Sequence, residues 1–234
     1  MKDQYSVAEL LKIADARLYP SITHTSYLVL RRRRLIFSKW LEGIPGDRLA
    51  VLDVGGRYQP YRPLIQHRVQ RYLALDIQRT PLVDVLGKGE ELPFRADTFD
   101  LVFATQVFEL FPEPRVVAAQ IHRVLKPGGH LMLSVASMYP RVVDEEHWRY
   151  LPAGLKFALG PFSKIEIVSE VTSIGGALRL NAAAISIFAK YEFVRQILHH
   201  TVVPVLNLVG LVLENAGLST NDQVAGNYSA LAQK

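Results

Sequence analysis

Two aspartates and a pair of glycines define the chemistry this chain can do. Asp53 lies in the apolar run Leu49–Val54, which leads into Gly55, Gly56 and Arg57. Asp76 lies near the end of a second run, Tyr72–Ile77, and follows Gly56 by 20 positions. A buried strand, a glycine turn and an acid at that distance are the parts of a βαβ unit that holds a nucleotide-like ligand. The glycines let the main chain approach the ligand because no Cβ stands in the way. The acid can accept hydrogen bonds from ribose hydroxyls, and an acid ending a buried strand needs a partner. The G-x-G-x-x-G pattern is incomplete, so the turn alone does not choose the ligand.

A second group of residues could move a proton. Glu146 and His147 follow the fifth apolar run and are the candidate general bases, with Asp144 behind them. The imidazole pKa suits that task, although His147 also reads as an ordinary surface histidine. Glu109 reads as a pocket-lining residue. Trp148 and Tyr150 read either as a platform for a sugar ring or as core. His24, His67, His122, His130, His199 and His200 form no ligand-spaced cluster, so no metal site is expected. The chain has no cysteine, which removes disulfides, a thiolate nucleophile and cysteine zinc sites.

The elements that must position these residues follow from the patterning. A chain of 234 residues, 49% hydrophobic, can build one large α/β domain or a domain with a substantial insertion. Ser6-Val7-Ala8-Glu9 is a capping box, and Val7, Leu10, Leu11, Ala14 and Leu18 continue at helical spacing until Pro20. A second helix is predicted from about Ser26 to Leu41, stopped by Gly43 and Pro45. From Arg48 the rhythm changes to short apolar runs: Leu49–Val54, Tyr72–Ile77, Leu82–Leu86, Phe99–Thr105 and Leu131–Ala136. Val116, Val117, Ile121, Val124 and Leu125 mark a helix, and Lys126-Pro127-Gly128-Gly129 is expected to turn the chain into the next strand. Runs of this kind separated by helices predict a parallel sheet covered on both faces. Ile165–Val171 and Asn227–Ala232 read as two further strands.

Two features invite a reading beyond the core. Arg31, Arg32, Arg33 and Arg34 are consecutive and carry much of the net charge of +5. They read either as a solvated helix face or as a contact for anionic lipid or a phosphate-bearing substrate; nucleic acid is not expected. The segment from about 173 to 218 is far longer than an ordinary connection. Its apolar run Val202–Leu213, broken by Pro204 and Asn207, is too short for a membrane span. It reads as a helical insertion packed on the domain, or as a surface for a membrane or partner. Met1–Gln4 lead into an amphipathic pattern, not a signal-peptide core.

The motifs together resemble those of class I S-adenosylmethionine-dependent methyltransferases, most closely the type 11 group. The series is Val51–Gly56, Leu75-Asp76-Ile77, Glu90-Glu91-Leu92-Pro93-Phe94, Asp97–Val102 and Arg123–Gly129. His147-Trp148-Arg149-Tyr150 with Gly154-Leu155 is similar to a segment of the methyltransferases of bacterial surface-polysaccharide and glycan clusters. The resemblance implies a Rossmann-like, doubly wound α/β sheet, mostly parallel, whose last strand, Asn227–Ala232, is antiparallel. Residues 1–46 would be an N-terminal helical cap and 47–234 the methyltransferase domain, with the insertion at about 173–218.

S-adenosylmethionine is the implied cofactor. Asp53 would orient the turn of Gly55 and Gly56, whose amides would face the methionine part. Asp76 would hold the ribose diol and Ile77 would pack on the adenine. Lys88, Gly89 and Glu90 lie where the family contacts the adenine edge, and Thr105 and Gln106 would sit under the sulfonium. Three positions depart from the family pattern. Arg57 follows Gly56 where glycine is common, and would reach the carboxylate end of the ligand. Lys88 replaces an aspartate, and lysine cannot accept the adenine amino hydrogen bond. Leu110 stands where histidine is common. The implied activity is O-methylation of a saccharide or another small or lipid-linked acceptor, in the cytoplasm and peripheral to the inner face of the membrane. A second reading, favoured by Arg57 and Lys88, keeps the fold as a binding or scaffold protein. A nicotinamide-dependent oxidoreductase is disfavoured, because no third glycine follows. Oligomeric state is not legible.

Overall fold

The computed structural model describes residues 5–218 and 221–234, apart from the side chains of residues 186, 187 and 189. Residues 1–4, the start of the expected cap, lie outside the described residues. Helix α1 (Val7–Leu18) begins at the predicted capping box: the Ser6 hydroxyl accepts from the Glu9 amide at 3.3 Å, and the Glu9 carboxylate accepts from the Ser6 amide at 2.7 Å. Leu10, Ala14 and Leu18 share its buried face. Helix α2 (Tyr27–Gly43) lays Phe37 against the sheet, with ring centroids 4.8 Å from Tyr61 and 6.2 Å from Phe103.

Seven strands form one sheet in the order β3-β2-β1-β4-β5-β7-β6. They are β1 (Leu49–Val54), β2 (Val69–Asp76), β3 (Val85–Leu86), β4 (Phe99–Thr105), β5 (Leu125–Ala136), β6 (Lys164–Ser169) and β7 (Asn227–Gln233). The pairs β1–β2, β1–β4, β2–β3 and β4–β5 are parallel, and β7 runs antiparallel to both β5 and β6. This is the Rossmann-like, mostly parallel sheet with a final antiparallel strand that the motifs imply. The chain winds outward from β1 on one side and from β4 on the other, so the crevice at their carboxyl ends is the switch point where such sheets bind ligands. Alternation along β4 fills two cores. Val102 pairs with Val117 and Ile121 of helix α4 (Pro114–Val124) on one face, while Leu101 and Phe103 meet Ile36, Phe37 and Leu41 of α2 on the other. A four-residue helix α3 (Arg62–Ile65) precedes β2, and α5 (Pro152–Ala158) precedes β6.

Two of these strand expectations change. Of the run Leu82–Leu86 only Val85 and Leu86 join the sheet. Before them the Asp84 side chain takes the Ala74 amide at 2.8 Å, the Asp84 amide reaches the Ala74 carbonyl, and Thr80 and Gln59 hold Val83 and Leu82 in a turn. Lys126–Gly129 is not a turn before β5 but part of it, made possible by a register shift against β4 and by Gly128 at φ +78°. Lys126 is pinned there by Asp100, at 2.8 Å, whose carboxylate also accepts from the Ala50 amide. Arg123 of the same motif donates to the carbonyls of Leu92 and Phe94 at 2.9 and 2.7 Å. Both motifs clamp the fold through these contacts.

The segment 173–218 folds as helix α6 (Ser173–Ala184), a short 3₁₀ turn and helix α7 (Glu192–Asn215). Helix α7 continues through Pro204 and is longer than the broken apolar run suggests. It is long and apolar enough to cross a membrane by length and composition alone, with a mean hydropathy of 1.6. Its buried stripe is Val203, Asn207 and Gly210. Asn207 donates to the carbonyls of Ile22 and His24 at 2.7 and 3.0 Å, and Gly210 lies close to Leu28. The opposite face exposes Val205, Leu208 and Val212.

The arginine run is neither a uniform solvated face nor a free basic patch. Arg33 is buried, and its guanidinium donates to both carboxylate oxygens of the fully buried Glu170, at 2.8 and 2.9 Å. Ser134 of β5 and Ser229 of β7 donate to the same carboxylate at 2.5 and 2.7 Å. Arg34 donates to the Leu18 carbonyl and stacks on Tyr19. A helical repeat places one arginine of four on the buried face of α2, where it ties the N-terminal helices to the end of β6.

Candidate active site

The carboxyl ends of β1, β2, β4 and β5 and the start of β7 meet along one edge of the sheet. Asp76 ends β2 there, only 8% exposed. Its Oδ1 accepts from the Gln78 amide at 2.8 Å, and among the described residues its Oδ2 accepts nothing. One carboxylate oxygen is thus held in place and the other is left for a ligand. Ile77, next along, is 72% exposed and offers an apolar face beside it.

The turn after β1 is built for close approach. Gly55 has φ +78°, and a Cβ on it would stand 2.7 Å from Val107; a Cβ on Gly56 would stand 2.8 Å from Asp53. The amides of both glycines donate to the Leu75 carbonyl, at 2.8 and 3.2 Å. They therefore pin β1 to β2 and do not face the methionine part of a ligand, as the motif had implied. Among the described residues the next two amides, of Arg57 and Tyr58, take no protein acceptor. Asp53 is buried under this turn and accepts from the Tyr72 hydroxyl at 2.7 Å. Burial pushes its carboxyl up to about 7, against that hydrogen bond and with a further push from Asp76.

The Arg57 guanidinium donates to the Gln78 side chain at 2.5 Å and lies over Tyr58, on the Asp76 side of the crevice. The other face of Tyr58 belongs to Arg17 of α1, 4.3 Å from the ring centroid. Arg17 brings a second cation to the glycine turn. Its part is invisible in the sequence, because α1 carries no motif and only the fold lays it over residues 57–61.

Gly89 lies under Phe111, where a Cβ would stand 2.7 Å from the ring. The glycine serves packing. Lys88 beside it is exposed and Glu90 half-buried. Thr105 ends β4. Gln106 follows with φ +53°, a strained conformation for a residue with a Cβ. Its amide is held by the Ser134 carbonyl at 2.8 Å and its side-chain oxygen by Asn227 at 3.1 Å.

The proton-moving candidates separate. Glu146 Oε2 accepts from Arg149 at 2.5 Å and from the Val142 amide at 3.0 Å, so the carboxylate is paired through one oxygen. His147 is exposed. Trp148 is 44% exposed with its indole nitrogen donating to the Phe111 carbonyl at 2.8 Å, a fixed platform. Tyr150 is core: it is buried and its hydroxyl donates to Phe108 at 3.1 Å. Glu109 stands out instead. It is 3% exposed, its Oε1 accepts from the Ala136 amide, and among the described residues its Oε2 has no partner. Its main-chain oxygen accepts from the amides of His147 and Trp148, at 2.8 and 3.3 Å. Glu109 thus joins the ends of β4 and β5 to the segment that carries the candidate base.

Burial pushes the Glu109 carboxyl up to about 7. From its ordinary value of 4.5 up to about 7 the folded chain keeps a proton that the unfolded chain has released. Stability therefore falls as pH rises through that window. Glu109→Gln keeps the acceptor for Ala136 and removes the titration. Relative to wild type, the variant is expected to gain on the order of 2 kcal/mol between about pH 5 and pH 8 in urea unfolding. A stability difference that does not change with pH would contradict the assignment.

Residues 52–133 match the family described as a methyltransferase domain. An uncharacterized protein of Methanocaldococcus jannaschii is 29% identical over 94 residues, 39% of this chain and 46% of that protein. The malonyl-[acyl-carrier protein] O-methyltransferase 1 of Coxiella burnetii is 26% identical over 152 residues, 62% of this chain and 51% of that protein. The chain spans about half the length of these curated relatives. Among solved structures, an S-adenosylmethionine-dependent methyltransferase from Archaeoglobus fulgidus superposes with a TM-score of 0.51 at 14% identity, over 86% of this chain and 94% of that one. The [4+2]-cyclase SpnF superposes with a TM-score of 0.51 at 18% identity, over 85% of this chain and 80% of that one.

Residues 52–133 are similar to a methyltransferase domain, and the chain has the fold of a solved S-adenosylmethionine-dependent methyltransferase, so S-adenosylmethionine is the cofactor against which the site is tested. The residues present fit that group. Asp76 offers an open carboxylate oxygen for a diol, Ile77 an apolar face for a base, and Arg17 and Arg57 positive charge beside a turn without side chains.

Proposed function

We propose that the chain transfers a methyl group from S-adenosylmethionine to an oxygen of a small or carrier-linked acceptor. The observation that carries the cofactor half is Asp76, buried at the switch point with one carboxylate oxygen uncommitted. Oxygen as the acceptor atom is taken from the Coxiella relative, whose name gives it an O-methyltransferase activity. The fold by itself does not choose the reaction, as the cyclase neighbour illustrates.

The bound cofactor would supply an electrophilic methyl group. The chain's own part is positioning and exclusion of water. Asp76 would hold the ribose, Ile77 the base and Lys88–Glu90 its edge. Thr105 and the strained Gln106 would form the floor below the transferring group. Residues 1–46 would act as a cap, since α1 brings Arg17 over the glycine turn. His147, at the mouth, is the remaining candidate base once Glu146 is paired with Arg149.

A saccharide hydroxyl is a second acceptor reading, favoured by the fixed and half-exposed Trp148 ring. A scaffold without turnover is the alternative that Arg57 and Lys88 favour. The exposed apolar face of α7 would suit contact with a membrane surface. The test is S-adenosylhomocysteine formation in an acceptor screen that spans carboxylic acids, acyl carriers and saccharides. Acceptor-dependent turnover is expected; cofactor binding with no turnover on any class would support the scaffold.

A further inference from the structure

Arg179 of α6 lies at the carboxyl edge of the sheet, 5% exposed, and among the described residues it makes no ion pair. Its Nη1 donates to the Asn227 side-chain oxygen, and its Nε and Nη2 share the Ser26 hydroxyl at 3.4 and 3.3 Å. A guanidinium carries five N–H donors, so one on each terminal nitrogen is left without a protein acceptor. The ring of Tyr139, from the segment after β5, covers the guanidinium at 3.8 Å. Asn227 passes the arrangement on to Gln106 at 3.1 Å. The charge therefore stands one side chain away from the end of β4, on the acceptor side of the crevice.

The chain does not neutralise this charge. Glu170 is the carboxylate whose field reaches it, but that group is already saturated by Arg33, Ser134 and Ser229. Burial lowers the Arg179 pKa to about 10, and the charges of Arg33 and Arg149 press the same way. A neutral side chain could hold α6 to Ser26 and Asn227. A buried cation without a counter-ion is costly, so its charge calls for a partner from outside the chain.

We propose that Arg179 anchors the acceptor through an anionic oxygen group, a carboxylate or a phosphate, seated beside Gln106. The proposal rests on the methyl-transfer reading and names its acceptor class. The planar fork of a guanidinium matches both groups. When the anchored group is a carboxylate that is itself methylated, it arrives without a proton. No base is then required, in agreement with the buried Glu109.

The test uses the full chain with malonate, malonamide and inorganic phosphate, titrated by ligand-observed NMR with and without S-adenosylhomocysteine. Wild type is expected to bind malonate or phosphate at least tenfold more tightly than the neutral malonamide, and Arg179→Gln to lose that preference. Arg179→Lys, which keeps the charge without the fork, is expected to retain part of it. Thermal melting reports the fold of both variants. Should Arg179→Gln not fold, the wild-type preference and Arg179→Lys still decide. Tighter binding of phosphate assigns a phosphate-bearing acceptor, and tighter binding of malonate a carboxylate. Equal binding of malonate and malonamide, or a folded Arg179→Gln that binds malonate like wild type, overturns the anchor. S-adenosylhomocysteine binding without the anion preference would sink the anchor and leave the methyl-transfer reading standing. The anion preference without S-adenosylhomocysteine binding would do the reverse.

Discussion

Asp76→Ala is expected to weaken binding of S-adenosylmethionine and S-adenosylhomocysteine by at least about a hundredfold, while leaving the fold intact. The carboxylate is buried and has one uncommitted oxygen. Two charge-assisted hydrogen bonds to a ribose diol would each contribute about 1.5–3 kcal/mol. The variant loses both and leaves a small void at the strand end. Asp76→Asn separates charge from shape: it keeps the acceptor oxygen for Gln78 and should bind between the two. A loss below about threefold in Asp76→Ala would place the ribose elsewhere.

Glu170→Ala is expected to have the largest effect on stability. It strips Arg33 of its carboxylate in a site where both side chains are almost wholly buried. Removing one partner of a buried pair typically costs about 3–5 kcal/mol, because the remaining charge stays desolvated. Ser134 and Ser229 would lose their acceptor at the same time. Urea unfolding at neutral pH measures the effect. A double replacement, Arg33→Met with Glu170→Leu, should recover most of the loss, since apolar side chains of similar volume often replace a buried pair without cost. A cost below about 1 kcal/mol for Glu170→Ala would mean that water reaches the pair.

What could be read from the sequence was local or periodic. The Ser6–Glu9 capping box is a four-residue pattern and formed as read. The apolar runs of β1 and β4 are buried on both faces, which is why they show no alternation. Asp76 was found because its position relative to the glycine turn is set by one βαβ unit. The rest depended on contacts between distant segments. Four consecutive arginines look alike in a sequence, and only the orientation of α2 against β6 selects Arg33, whose partner Glu170 lies 137 residues away. Arg179 sits in an insertion without a motif and meets the crevice through Asn227, 48 residues on. Glu109 becomes notable only because the end of β5 supplies one donor and no other described residue supplies a second. The same holds for the glycine amides: the Leu75 carbonyl that takes them belongs to the neighbouring strand.

The most direct measurement is a calorimetric titration of the purified chain with S-adenosylmethionine and S-adenosylhomocysteine, with NADH as control. Micromolar binding of the two sulfur ligands, none of NADH, and its loss in Asp76→Ala is the predicted result. Absence of binding by either sulfur ligand would contradict the assignment of the crevice, and would direct attention to Arg57 and Lys88 as the positions where this chain leaves the methyltransferase pattern.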